Sequence, residues 1–128
     1  MYFMNKEDRD RLTQSPALLV DLNVEIAELS AHPALQTAGR VAKTLAVHPD
    51  FRIVLTAIRK GTRISEHHVP GSISVHTLRG EIALHIQSQV TKLPAGSVLI
   101  LEQGMAHDVV AQEDSYFLVT IAWPNQEK

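Results

Sequence analysis

Two stretches carry the fold: residues 58–80, IRKGTRISEHHVPGSISVHTLRG, and residues 93–110, LPAGSVLILEQGMAHDVV. In the first, Ile73, Val75 and Thr77 alternate with Ser74, His76 and Leu78, the period of two that a pleated strand imposes on its side chains. Lys60-Gly61, Pro70-Gly71, Arg79-Gly80, Pro94-Ala95-Gly96 and Gln103-Gly104 break the two stretches into short runs. Each supplies the free or the fixed φ that a tight turn uses. Short strands joined by such turns, with no helix between them, predict an antiparallel sandwich or barrel.

The same reading holds outward, over a barrel region of 41–123. Candidate strands are 41–47, 51–59, 73–78, 81–87, 90–93, 98–101, 108–111 and 116–123, about eight in all. They are rich in Val, Ile, Leu and Thr, which fit a half-buried pleated surface. Upstream, Leu19, Leu22, Ile26 and Leu29 recur at helical spacing. One amphipathic helix is therefore predicted over 16–30, capped by Ser15, with Pro16 at its first position, and ending before Pro33. Residues 31–39, AHPALQTAG, read as a loop, and residues 1–14, charged and aperiodic, as a flexible arm anchored only by Tyr2 and Phe3. The remaining 15–128 read as a single domain, and a chain of 128 residues buries roughly two-thirds of its unfolded surface.

Composition narrows the function classes. The hydrophobic fraction of 45% and charged fraction of 20% are those of an ordinary globular chain. Net charge is -2, and no Lys or Arg cluster is dense enough to neutralise several phosphates, which argues against nucleic acid and anionic membrane as partners. The absence of cysteine excludes disulfides, thiolate metal sites and cysteine nucleophiles, and suits a reducing compartment. The first residues, MYFMNKEDRDRL, carry charges where a signal peptide needs its apolar run, and no stretch approaches the roughly 18 uninterrupted apolar residues of a membrane helix. A cytoplasmic protein is expected. GxSxG, GxxxxGK[ST], HExxH and GxGxxG are all missing, which removes several common enzyme plans.

The two quoted stretches resemble the two motifs of the cupin superfamily, as found in small single-domain cupins of the conserved-barrel type, and the resemblance covers residues 51–123. The first family motif has a Gly, a His-x-His pair, a Glu, and a Gly seven positions after that Glu. The second has a Gly, a Pro-x-Gly, a His three residues later, and an Asn. Gly61 and Gly80 bracket the first here, and Gly96, Gly104 and His107 keep the spacing of the second. Three positions depart: Ile73 stands where the metal-binding Glu would be, Glu102 replaces the Pro, and Ala111 replaces the Asn. The resemblance implies an all-β double-stranded β-helix, the jelly-roll cupin barrel, here with one N-terminal helix.

For a metal, the resemblance points to His107 and to the segment Glu66-His67-His68. Two registers are open: Glu66 and His68 fill the His-x-His positions, or His67 and Val69 do. Spacing to Ile73 favours the first. Alternation sends residues 66 and 68 to one face and 67 to the other, unless the Pro70-Gly71 turn bends the segment. Glu66, His68 and His107 would form two imidazoles and one carboxylate, a set suited to the divalent transition metals Fe, Mn, Ni and Zn. His67, His68 and His107 would form three imidazoles, suited to Zn or Cu. Either set leaves positions open for water or substrate, as a metal-dependent dioxygenase or isomerase acting on a small organic molecule needs.

The competing expectation starts from Ile73. An apolar side chain in a ligand position favours a dry pocket, lined by Ile73, Val75, Thr77 and Met105, in a metal-free barrel that binds or senses a small ligand. A homodimer is expected in either case, because open jelly-roll sheets have edges and apolar faces to cover.

Other candidates have plainer readings. His76 lies on the face opposite Val75 and Thr77, and His85 opposes Leu84 and Ile86, so both read as packed or interface histidines. His32 and His48, beside Pro33 and Pro49, read as solvated loop residues. Glu102 reads as a solvated turn carboxylate, with a general acid or base as its alternative role. Trp123 closes the last strand, and Tyr116 and Phe117 read as core or pocket wall.

Overall fold

Nine strands and two short helices form among the residues that the computed structural model describes, 17–66 and 70–123, the side chain of Glu66 lying outside that description. The helices are α1 (Leu22–Ser30) and α2 (Pro33–Ala38). The strands are β1 (Arg40–His48), β2 (Phe51–Ile58), β3 (Arg63–Glu66), β4 (Ser72–Arg79), β5 (Glu81–Ile86), β6 (Gln89–Pro94), β7 (Val98–Leu101), β8 (His107–Ala111) and β9 (Ser115–Ala122). All pairings are antiparallel. A five-stranded sheet runs β1-β2-β9-β4-β7 and a four-stranded sheet runs β3-β8-β5-β6. The order is that of a jelly roll whose sheets face each other without hydrogen bonds closing them into one ring.

Strand alternation divides the apolar residues into two clusters. Facing inward between the sheets are Ile73, Val75, Phe117, Val119 and Ile121 from the large sheet and Ile64, Ile82, Leu84, Leu93, Val109 and Ala111 from the small one. On the other side of the large sheet, Leu45, Leu55 and Ala57 meet Ile26 and Leu29 of α1 and Leu35 of α2. Residue 55 faces the helices and residue 58 the barrel, so β2 is apolar on both sides and reads as a nearly continuous hydrophobic run. No helix among the described residues is long and apolar enough to cross a membrane.

The N-terminal region departs from the sequence expectation. The helix begins at Leu22, not at 16, because the Asp21 carboxylate caps it by accepting from the backbone N–H groups of Asn23 (3.0 Å) and Val24 (3.4 Å). Leu19, which extends the periodic row, is 97% exposed and has no sheet to pack on. Ser15 and Pro16 lie outside the described residues, as does the arm 1–14.

The segment expected to be a loop holds α2. His32 caps it through Nδ1, which accepts from the Ala34 N–H (3.0 Å), Pro33 occupies its first turn, and Leu35 is buried. His32 is thus a capping residue, and His48, also expected in a loop, ends β1 with its ring stacked on Phe51 at 4.7 Å. The ninth strand, β3, was missing from the expected set because Ile64 is its one buried apolar residue.

Candidate functional site

One end of the barrel is formed by the start of β2, β4 and β8 and the end of β3, β7 and β9. Residues 67–71 link β3 to β4 there, and residues 102–106 link β7 to β8. Residues 102–106 cross from the large sheet to the small one, and strand ends of both sheets meet here, at the mouth of the barrel. The sequence places its chemistry here, where His107 opens β8 and Glu66 ends β3.

His107 is 4% exposed and shares the inward face of β8 with Val109 and Ala111. The chain reaches it through a turn in which the Met105 N–H donates to the Glu102 carbonyl (3.3 Å) and Gly104 adopts φ +83°, a left-handed conformation natural to glycine. That turn aims the Met105 carbonyl at the imidazole. His107 Nδ1 lies 3.2 Å from this oxygen. A carbonyl only accepts, so Nδ1 donates to it, and in the neutral imidazole this tautomer leaves the lone pair on Nε2, the nitrogen a ligating histidine would use. No hydrogen bond engages Nε2 among the described residues.

Glu66 is the cross-strand backbone partner of His107. His67 and His68 lie outside the described residues. Among the described residues, no three His, Cys, Asp or Glu side chains gather in a group able to hold a metal.

Ile73 is buried in the barrel cluster, between Leu101 of β7 and Ile121 of β9 in register. Val75 lies deeper, between Leu99 and Val119, and Thr77 deeper still, opposite Phe117. Met105 is half-buried against the same cluster. The row Ile73, Val75 and Thr77 thus runs from the mouth down the inner wall of the barrel.

The remaining candidates lie elsewhere. His76 is half-buried on the outer face of β4, paired with Val98 and Leu118, and His85 is half-buried beside Asp108 on the outer face of the small sheet. Glu102 is exposed in its turn. Phe117 is barrel core, whereas Tyr116 packs in the helix-covered cluster and its hydroxyl bonds Ser30.

Two residues of the mouth were not singled out together by the sequence. Trp123 packs on the barrel cluster just past β9, its N–H donating to the Asp50 carbonyl (3.0 Å). The Arg52 guanidinium carbon lies 5.7 Å from the centre of the Trp123 ring, within cation–π range. Arg52 shares its face of β2 with Val54, Thr56 and the barrel residue Ile58. A cation in an inward position of an otherwise apolar strand is a signal that period-two reading can detect.

No family model matches this chain, and no curated protein matches its sequence. Solved structures do match its shape. A conserved Streptococcus pyogenes protein superposes with a TM-score of 0.66 at 22% identity, over 87% of this chain and 91% of that one. An RmlC-like cupin from Desulfovibrio desulfuricans gives 0.62 at 26% identity, over 72% and 94%. A salicylate 1,2-dioxygenase mutant from Pseudoaminobacter salicylatoxidans gives 0.72 at 17% identity, over 88% of this chain and 41% of that one. Likeness at these identities establishes architecture and leaves the chemistry to the residues at the mouth. With its two facing antiparallel sheets in jelly-roll order, this chain has the fold of the cupin barrels it superposes on.

Proposed function

We propose that the barrel mouth holds a divalent transition metal through His107, together with His68 and either Glu66 or His67, and acts there on a small organic molecule. The observation that supports this most is the setting of His107, buried and inward, with Nδ1 donating to the Met105 carbonyl and no hydrogen bond to Nε2 from the described residues. A backbone acceptor on the far nitrogen is the usual support of a metal-binding imidazole, fixing its tautomer and ring orientation. The register of Glu66 opposite His107 favours Glu66 as the third donor. Such a metal would supply Lewis acidity or redox chemistry. Among the neighbouring folds is a dioxygenase of a small aromatic acid, salicylate.

Metal analysis of protein purified without added metal tests this reading. Near-stoichiometric Fe, Mn, Ni or Zn in the parent and its loss in His107→Ala are expected; substoichiometric metal in the parent rejects it.

A second reading has its own observation, the burial of Ile73 at the position where the family motif has its carboxylate. In that case the mouth is a metal-free pocket for an organic ligand. Binding to the native state raises the melting temperature, so stabilisation by organic compounds but not by Fe, Mn, Ni or Zn favours this second reading. In either case we propose a homodimer: β7 is an edge strand of the large sheet, and Val98 and Ile100 on it are exposed. Light scattering that gives a monomer at micromolar concentration overturns the dimer.

A further inference from the structure

We infer that the barrel mouth is built for a small organic carboxylate, with Arg52 as its anchor. The inference rests on the mouth being the ligand site and adds the charge of the ligand, which neither the metal reading nor the apolar-pocket reading specifies.

Arg52 is a guanidinium placed on the barrel side of β2, one residue from the strand's start and opposite Ile121 in register. Its Nε is buried and has no hydrogen-bond partner, and no carboxylate forms an ion pair with it among the described residues. The charged surface pairs lie elsewhere, between Lys43, Glu25 and Glu28 and between Arg63 and Asp108. A partly desolvated cation without an acceptor is costly unless something else compensates it. The Trp123 ring does so in part, because the negative face of an indole attracts a guanidinium. Contact with the aromatic ring also restricts the side chain, which lowers the cost of ordering it around an anion.

The donor edge decides the class. A guanidinium presents parallel N–H groups that match the two oxygens of a carboxylate. In register beside it across the large sheet lie Ile121, Ile73 and Leu101, with half-buried Met105 packed on the same cluster, an apolar neighbourhood that suits a hydrocarbon body. The matching ligand has an apolar skeleton and one carboxylate end.

Trp123 is the single tryptophan of the chain, so intrinsic fluorescence reports on the mouth directly. The experiment titrates the protein, both as purified and after metal removal and dialysis, with benzoate, its neutral counterpart benzamide, succinate and inorganic sulfate. Thermal shift with the same compounds gives a second readout that does not depend on the indole. Saturable binding of benzoate, at least tenfold weaker binding of benzamide and sulfate, and a tenfold or greater loss of benzoate affinity in Arg52→Gln are expected. Arg52→Lys, which keeps the charge but not the fork, should fall between, and it serves alone if the glutamine variant does not fold. Equal affinity for benzoate and benzamide, an unchanged Arg52 variant, or no saturable response to either carboxylate overturns the inference. Sulfate binding as tightly as benzoate overturns the organic part of it. Because the metal-free arm reads Arg52 alone, its failure is distinguishable from a failure of the metal reading, which metal content decides.

Discussion

The two ends of the barrel treat their polar groups in opposite ways. At the closed end the Glu81 N–H donates to Ser115 Oγ (3.0 Å), Ser115 Oγ donates to the Glu113 carbonyl (2.7 Å), and the Lys60 N–H donates to the Asp114 carboxylate (2.8 Å). Gly61 and Ala111 are joined by a backbone bond of 2.9 Å, and Ala95 and Gly80 by one of 3.0 Å. At the mouth, among the described residues, Arg52 Nε is buried without an acceptor, and His107 Nε2 has no hydrogen-bond partner. Buried polar groups in folded proteins are paired as a rule, so unpaired ones cluster where something else is to bind. The comparison teaches that one end closes largely on its own polar groups, Thr77 Oγ1 apart, while the other leaves a charged one unmet, although the same strands build both.

The closed end depends most on Gly80, and the largest effect is expected there. Its φ is +80°, and a Cβ at this position would lie 2.3 Å from Ser115 Oγ and 2.4 Å from the Asp114 carbonyl. Gly80→Ala therefore adds backbone strain to a clash with the group that caps Glu81, and should cost at least about 3 kcal/mol in urea denaturation. An alanine variant as stable as the parent would break the comparison, since the closed end would then tolerate rearrangement as a ligand site does.

Much of this was legible in the sequence for a physical reason. Burial on one face of a strand forces period two, so Ile73, Val75 and Thr77 announced an inner wall, and Gly80 marked the turn that closes it. Short or polar elements escaped. β3 has one buried apolar residue, Ile64, and α2 is six residues long, too short to show a helical period, although Pro33 at its start and Gly39 past its end were usable signals. The start of α1 was misplaced because spacing counts Leu19 as a core residue and cannot see that no sheet lies beneath it. At the mouth, motif spacing singled out His107, but the Met105 carbonyl that its Nδ1 meets belongs to a turn geometry that no side chain encodes. Arg52 and Trp123 meet only because β2 and β9 are adjacent, a long-range pairing that a local pattern does not contain.

A smaller effect, of opposite sign, is expected at Thr77, the exception at the closed end. Its N–H donates to the Ser97 carbonyl (3.1 Å) and its carbonyl accepts from Gly96 (2.8 Å), yet Oγ1 is buried without a partner. Thr77→Val removes an unsatisfied hydroxyl while nearly keeping shape, and should stabilise the protein by about 1 kcal/mol in the same denaturation series. A loss of stability instead would show that the hydroxyl holds a buried water, and that polar recognition extends down the wall beyond the mouth.

The smallest effect belongs to a tether outside both ends. Lys43 Nζ donates to Glu25 and Glu28, each at 2.7 Å, fastening α1 to β1. Burial alone would lower the Lys43 pKa, but the hydrogen bonds to Glu25 and Glu28 outweigh it and raise it above 10.5. The hydrogen bond from Lys43 holds Glu28 below its ordinary 4.5. The raised lysine contributes fully at pH below its unfolded value and loses its contribution as pH climbs through the folded one. The lowered glutamate contributes above its unfolded value and loses its contribution as pH falls through the folded one. The tether is therefore intact across neutral pH and weakens toward both extremes. Lys43→Met should shift the urea midpoint only slightly at neutral pH, and the shift should shrink further in about 1 M salt, since exposed ion pairs are weak and screened. Leu55 on β2 packs toward α1 while Arg52 on the same strand faces the barrel. If the two faces of β2 are independent, the Lys43 variant leaves benzoate affinity at the mouth unchanged; a changed affinity would mean that the helix cover helps to set the position of Arg52.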